Sequence, residues 1–515
     1  MARIGNCIHE TLRQLVAPPN RWFGLNRINR MTSSRAGASS PVFDLQFGAP
    51  SKLDPTMLPK VTTAIPGPHC LELASKLSKY ENRNVTFLAP DFPIFWERAS
   101  GTNVWDVDGN RFLDLTAGFA VAAHGHTHPA VQSAITLQSA KLMHAMGDVH
   151  PPESKVLLCQ RLSEITYERW GFGTGKSTLC NSGFEAVEVA TKTSLLHSGK
   201  PGVIAFTGGY HGLGYGALEL IGIPWFREPF QQHLRDFVSW IPYPYCFRCP
   251  FGRTEGHRLH GSRFPNCASS CLQSIEDQIE QTIRQRPIGC MVLEPCQGRG
   301  GEVIPPLDFL RMLRGLCDTY KILLVFDEIY TGFNRTGALF ASDQYGVFPD
   351  LICVGKGLTT GVPLSACVGR AEVMDSWPKS QGEALHTTTF LGNPIGCAAA
   401  LASIELHLDP EVGRRVRILG DYLRKRLAEL IPPSMGDVRG LGLMTGLEVV
   451  RKDGAPDTQL AAKIVRMSLK DGIILLAGGR DSNVLTFTPP FCIEPEEIDF
   501  ACDKIQGYLR LGSVS

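Results

Sequence analysis

Four short stretches of the chain set reactive side chains at the ends of apolar runs. Asp327 closes "ILLVFD", Lys356 follows "LICVG", Ser182-Gly183 follows "TLCN", and Tyr210 lies in "GGYHG". A lysine amine can form a Schiff base with a carbonyl, and a carboxylate can keep a pyridine nitrogen protonated. A helix start that contains glycine offers bare amides and a positive dipole end to an anion. Each residue also has an ordinary use. Ser182-x-x-Glu185 matches a capping box, a strand-end lysine commonly lies solvated in a turn, and an aspartate there commonly caps or pairs. Taken together, they meet the needs of pyridoxal 5′-phosphate: an amine for its carbonyl, a carboxylate for its ring nitrogen, an anion site for its phosphate, and a flat side chain on the ring face.

A second stretch invites a different chemistry. "GFGTGKST" at 171–178 looks like a phosphate-binding loop. The Walker pattern needs four residues between its first glycine and the Gly-Lys pair, and the position required for that glycine is Trp170. The context is also inverted. A phosphate loop follows a strand and opens a helix, whereas here the helix-periodic "SKVLLCQRLSEITYERW" comes before and the strand-like "TLCN" after. The nucleotide-hydrolase reading fails on both counts. The expected phosphate contacts fall on Ser182, Gly183 and Phe184, not on Lys176.

The elements that must position these groups are short apolar runs alternating with helical stretches from about 155 to 400. The runs are "STLCN", "GVIAF", "CMVLEP", "ILLVFD", "LICVG" and "SACVG". That alternation predicts an α/β fold with a mostly parallel sheet covered on both faces by helices. Ligands in such sheets sit beyond the carboxyl ends of the strands. In "NVWDVDGNRFLDL" the pair Asp108-Gly109 predicts a two-residue hairpin turn. A long helix starting at "CAAALASIELHL", followed by "VRGLGLMTGLEVV" and "NVLTFTPPF", predicts a smaller α+β domain over 401–515. Residues 41–150 are expected to contribute to it, leaving 151–400 as the large domain.

The formal net charge is +1 and charged residues make up 20% of the chain, so no strong field invites nucleic acid or an anionic membrane. No apolar run approaches the length of a bilayer span. Of the 16 cysteines, most read as buried reduced thiols. Cys246, Cys249, Cys267 and Cys271 lie in an insertion at about 243–272. Their C-x2-C and C-x3-C spacing suits zinc, with thiols or a disulfide as the alternative. "HGHTHP" (His124, His126, His128) reads as a turn entering a helix, with a metal site as the other reading.

Residues 1–40 carry Arg3, Arg13, Arg21, Arg27, Arg30 and Arg35 against the single acid Glu10. Ile4, Ile8, Leu12 and Leu15 would share a helix face, and serines follow. This is the character of a mitochondrial presequence, with Met31 as an alternative start and a disordered extension as the plainer reading.

The consecutive motifs "NSGFEAVEVA", "YHG", "EPCQGRGG", "VFDEIYTGFNRTG", "GKGLTTGVPLSA" and "TTTFLGNPIGCAAA" resemble those of class III pyridoxal-phosphate aminotransferases, over about residues 85–508. The resemblance implies a fold-type-I homodimer with active sites at the subunit boundary. It also implies transfer of an amino group between an amino acid or amine and a 2-oxo acid. Lys356 would be the Schiff-base lysine and Asp327 the partner of the pyridine nitrogen. Tyr210 would lie over the ring, Ile329 behind it, and Ser182, Gly183 and Phe184 on the phosphate. Thr389 would reach the phosphate of the neighbouring subunit. A racemase, decarboxylase or aminomutase would use the same Lys356–Asp327 pair, and a non-catalytic cofactor-binding dimer would have no need of it. Two departures stand out. Many relatives carry Gln where this chain has Tyr330. The Glu and Arg that serve ω-amine substrates in the family are replaced by Arg299 and Thr486, which makes Arg299 a candidate clamp for a substrate carboxylate.

Overall fold

The computed structural model describes residues 58–252, 265–432 and 434–512. The presequence expectation for residues 1–40 therefore lies outside the described residues. β1 (Trp96–Ser100), β2 (Asn103–Asp106) and β3 (Arg111–Asp114) form an antiparallel meander. The expected two-residue turn is replaced by a longer one. Trp105 pairs with Arg111, and Asp106 Oδ1 accepts the amides of Asp108 and Asn110 at 3.0 and 2.8 Å, with Gly109 at φ +82°. The side chain of Asp106 thus takes up amides that a tight turn would have left to the ladder.

The main sheet has seven strands. In chain order they are β4 (Gly175–Cys180), β5 (Gly202–Phe206), β6 (Val238–Ile241), β7 (Ile288–Leu293), β8 (Leu323–Asp327), β9 (Leu351–Val354) and β10 (Ser365–Arg370). Their order across the sheet is β4-β10-β9-β8-β7-β5-β6. All run the same way except β10, which is antiparallel to both β4 and β9. The segment between β9 and β10 is too short for the dozen or so residues that a parallel crossover needs, so "SACVG" returns against its neighbours. Every residue of β5, β7, β8 and β9 is buried, as expected of strands covered on both faces. The helix Gly183–Ser198 lays Ala186, Val187, Val189 and Ala190 on the sheet, and it ends at Gly199 in the left-handed region (φ +67°). Its small side chains let the helix approach closely, which holds its first turn over the strand ends.

Beyond the main sheet, β11 (Gly436–Leu441) and β12 (Met444–Val449) pair antiparallel. β13 (Ile473–Ile474) adds in parallel to β3, so the late chain completes the early meander. β14 (Leu476–Gly478) and β15 (Val484–Phe487) join β12 in a sheet of order β11-β12-β15-β14. Among the described residues no helix is long and apolar enough to cross a membrane.

Candidate active site

Six strands of the main sheet point the same way, so their carboxyl ends share one edge. Ser182, Tyr210, Glu294, Asp327 and Lys356 all lie at or just beyond that edge. With Gly183, Phe184, Arg299 and Ile329 they line a single cavity of about 1160 Å³.

Asp327 is buried and makes two contacts. His211 Nδ1 donates to its Oδ2 at 2.8 Å, and the amide of Ile329 donates to its Oδ1 at 3.1 Å. Burial works against charge on His211, but the hydrogen bond and the negative charge of Asp327 outweigh it and lift the histidine above its ordinary pKa. His211 Nε2 is buried without a partner among the described residues. Glu294, at the end of β7, accepts the amides of Tyr210 and Gly298 at 2.9 Å each. Burial raises its pKa to about 7, while the charge of His211 pulls the other way.

Lys356 opens a single helical turn at φ +41°, a left-handed conformation that costs a non-glycine residue roughly 1–2 kcal/mol. The next residue is held from behind: Gly357 O accepts from Ser403 Oγ at 2.8 Å and faces His407 Nε2 at 3.1 Å. A carbonyl only accepts, so Nε2 carries the proton and Nδ1 accepts from His124, 3.1 Å away. Burial pulls the Lys356 amine below the usual lysine range, with Asp327 and Glu294 opposing. A lowered pKa eases the loss of the proton that keeps an amine from attacking a carbonyl.

Ser182 stands at the N-terminus of the helix Gly183–Ser198 but does not cap it with its side chain. Glu185 turns instead to the amide of Asn181 at 2.8 Å, so the capping box expected from sequence does not close. The buried Ser182 Oγ has no partner among the described residues. A Cβ at Gly183 would stand 2.8 Å from Ile329, so only glycine fits where the helix start meets the cavity. A buried hydroxyl without a partner is costly unless something completes it. Together with the bare amides of a long helix's first turn, it suits an oxyanion. Pyridoxal 5′-phosphate fits this set: an anion cradle, a locked carboxylate and an amine on one strand edge.

The remaining predicted residues fall as follows. The backbone of Tyr210 is fixed by Glu294, and its ring meets Phe226 at 5.3 Å. Arg299 is exposed at the tip of the 298–302 loop, with its guanidinium 6.0 Å from the Phe226 ring. The Tyr330 hydroxyl donates to Glu302 Oε1 at 3.0 Å, and its ring centre is 5.3 Å from Lys356 Nζ. Thr389 is exposed and does not line the cavity; its neighbour Thr388 accepts from Asn181 Nδ2 at 2.9 Å. Lys176 lies within β4, paired with Asp375 at the surface.

The histidine motif has structural uses. His126 pairs with Asp114 at 2.8 Å, His128 accepts the amide of Ala130 at the start of Pro129–Lys141, and His124 contacts His407. Of the four insertion cysteines, Cys246 and Cys249 are half-buried and Cys271 is buried, and the side chain of Cys267 lies outside the described residues. Sequence reasoning missed His211, Glu294, Glu302 and Thr488, all of which line the cavity. His211 sits in the quoted "YHG", and Glu294 closes an apolar run just as Asp327 does, so both left a signal. Glu302 and Thr488 left none.

The fold and the site define a fold-type-I pyridoxal-phosphate transferase. The chain belongs to the class III aminotransferase family, whose profile matches residues 87–509. A 4-aminobutyrate aminotransferase of Mycobacterium leprae is 34% identical over 440 residues, covering 85% of this chain and 95% of its own. An alanine/serine racemase of Pyrococcus horikoshii is 33% identical over 459 residues, covering 88% of this chain and 93% of its own. The PLP-bound structure of an amine transaminase from an uncultivated Pseudomonas species superposes with a TM-score of 0.75 at 26% identity, covering 84% of this chain and 98% of that one. The chain is therefore an aminotransferase that uses pyridoxal 5′-phosphate.

Proposed function

We propose that Lys356 holds the cofactor covalently and handles the proton at the substrate's α-carbon, in amino transfer between a carboxylate-bearing amino donor and a 2-oxo acid. One observation carries this reading. At a single strand edge converge an amine kept below its usual pKa, a buried aspartate locked by a histidine, and a buried serine hydroxyl lacking a partner. When bound, the cofactor supplies a carbonyl carbon for the incoming amine and an electron sink for the pair left at the α-carbon. Asp327 would keep the ring nitrogen protonated, and His211 fixes the direction in which that carboxylate points. Ser182 Oγ and the amides of Gly183 and Phe184 hold the phosphate. Tyr210 and Ile329, which both line the cavity, would confine the ring. With the cofactor bound, Lys356 Nζ would be the group placed to take and return the α-proton, as general base and then acid. Arg299 pairs with the substrate carboxylate.

Borohydride reduction of the holoenzyme followed by peptide mapping should place the phosphopyridoxyl group on Lys356. Label on Lys176, or none, overturns the assignment. Mixing holoenzyme with amino donors should convert the cofactor absorbance to the amine form with one equivalent of oxo acid released. An unchanged spectrum with inversion of the donor would instead favour racemisation, which the racemase relative supports as the second reading.

The same reading takes the chain as a homodimer, in which Thr389 of the partner subunit completes the phosphate site. Its support is the exposed position of Thr389 outside its own cavity, and sedimentation at micromolar protein tests it. For residues 1–40 the reading is mitochondrial targeting, supported by their arginine-rich, acid-poor composition. A reporter fused to residues 1–45 that stays in the cytosol would reject it.

A further inference from the structure

Glu302 lines the cavity wall, and the reaction above assigns it no task. It sits at the end of the tip that carries Arg299, a turn closed by Gly301 and Glu302 amides donating to Gly298 O at 2.9 and 3.1 Å. Its backbone lies at φ +52°, a conformation glycine adopts without strain, yet a long acidic side chain occupies it. That side chain is 99% buried (1% exposed) and lines the cavity. Space for it is kept by Gly446 in β12, where a Cβ would approach Glu302 Cβ to 3.0 Å. One oxygen, Oε1, accepts the Tyr330 hydroxyl at 3.0 Å. The other, Oε2, is buried and has no partner among the described residues.

We propose that Glu302 is a specificity-determining residue, which selects substrates with a distal carboxylate by donating a hydrogen bond from Oε2 to a carboxylate oxygen held beside Arg299. The inference rests on the amino-transfer reading above and adds a second reader to the distal end of its substrate.

Two observations favour a donor over an anion, and a third favours an anionic ligand. First, an unpartnered ionised oxygen at this depth would be far more costly than a neutral carboxyl, which needs only one hydrogen bond at that atom. Second, the surroundings agree. Burial lifts Glu302 well above the usual carboxylate range and Glu294 adds to the effect, while the Tyr330 bond, Arg439 and Arg335 pull the other way without overcoming it. Arg439 is already committed to Glu448 and Asp437 at 2.9 and 3.0 Å. Third, Arg299 enters the same cavity from the same tip, so a cationic group on the substrate would meet a like charge where an anionic one meets an opposite charge. With Tyr330 holding Oε1, the proton of the neutral carboxyl resides on Oε2, which is the atom left for the ligand.

The test uses three donors with one five-carbon frame: 5-aminovalerate, n-pentylamine and cadaverine, whose distal ends are a carboxylate, a methyl group and an ammonium. Half-reaction rates of the holoenzyme are compared for wild type, Glu302→Leu and Glu302→Gln. Calorimetric titration of each holoenzyme with valerate, an unreactive carboxylate, gives a readout independent of turnover. Glu302→Leu should lower kcat/KM for 5-aminovalerate by about ten- to a hundredfold, the range of a charge-assisted hydrogen bond, and leave n-pentylamine within about twofold. Glu302→Gln still accepts from Tyr330 and places an N–H where Oε2 was, so it should keep most of the 5-aminovalerate rate and of the valerate affinity.

Equal loss on all three donors in Glu302→Leu overturns the proposal. So does a Glu302→Gln variant that binds valerate tenfold more weakly than wild type, which also decides the matter if Glu302→Leu does not fold. Selective loss of cadaverine in Glu302→Gln would overturn it in favour of an anionic receptor for amines. If no donor is converted by wild type, the amino-transfer reading fails on its own, and the valerate titrations still judge Glu302.

Discussion

The strand-end wall of the cavity and the wall that faces it are held by different means. On the strand-end wall the two carboxylates are fixed by backbone amides and a buried histidine, while Ser182 Oγ and His211 Nε2 have no partner among the described residues. Asp327 takes His211 and the Ile329 amide, Glu294 takes two amides, and Ser365 Oγ donates to Ser182 O at 2.5 Å. The facing wall is assembled from chain segments far apart in sequence: the 298–302 tip, β14, and the stretch through β15 to Thr488. Its ties are few. Gly479 N donates to Arg299 O at 3.1 Å, and Arg439 holds Gly301 O with Nε at 2.9 Å and Nη2 at 2.5 Å. Arg299 itself is exposed, with its guanidinium 6.0 Å from the Phe226 ring. The first wall fixes atoms that any amino transfer needs in one geometry. The second carries the groups by which one substrate differs from another.

The largest expected effect breaks the first wall. Asp327→Asn should retain cofactor, since size and shape are kept, but lose turnover by on the order of a hundred- to a thousandfold, the scale of removing one preorganised electrostatic partner from a buried site. The loss should be the same for every donor. Near-normal single-turnover rates would show that Asp327 only braces His211.

A smaller and selective effect belongs to the second wall. Arg299→Ala should cost carboxylate donors about ten- to a hundredfold in kcat/KM and spare neutral amines, with diamines such as putrescine the poorer donors of the wild type. A uniform loss across donors, or putrescine as the best donor, would remove the contrast between the walls.

The smallest effect concerns the support behind Lys356. Burial lowers His407 to about 3, against about 6.5 for a free histidine. The folded protein keeps it neutral while the unfolded chain gains the proton, so stability falls as pH drops below about 6.5, by up to about 1.4 kcal/mol per pH unit until pH approaches 3. His407→Gln should flatten the fall of Tm between pH 6.5 and 4.5. An unchanged slope would assign the acid sensitivity elsewhere.

This division also explains what the sequence made legible. Asp327, Lys356 and the Ser182-Gly183 start are local events, each the punctuation at the end of an apolar run, and the rule that ligands gather at carboxyl ends of strands did the rest. The capping box that is the ordinary reading of Ser182 does not close because Glu185 takes the Asn181 amide, a choice between neighbouring donors that spacing does not decide. The turn at Asp108-Gly109 lengthened because the Asp106 side chain took up backbone amides. Glu302 was invisible for a different reason. A charged residue after two glycines reads as solvated loop, and its burial depends on Gly446 and Tyr330, which no short-range pattern connects to it. Thr389 was legible only as part of a family motif, and within one chain it does not line the cavity.

The parallel pairing of β13 with β3 sets Ile473 beside Leu113 and Ile474 beside Asp114. Such a contact can form only after the intervening chain has been made and its loop-closure entropy overcome, which places it among the slow, non-local steps of folding. On a ribosome releasing roughly 5–20 residues per second, Lys356 is made about 6 to 26 seconds before β14 and β15 are. A nascent chain of this protein therefore passes through a stage at which Asp327, Lys356 and the 298–302 tip have been made while β14 and β15, which complete the facing wall, have not.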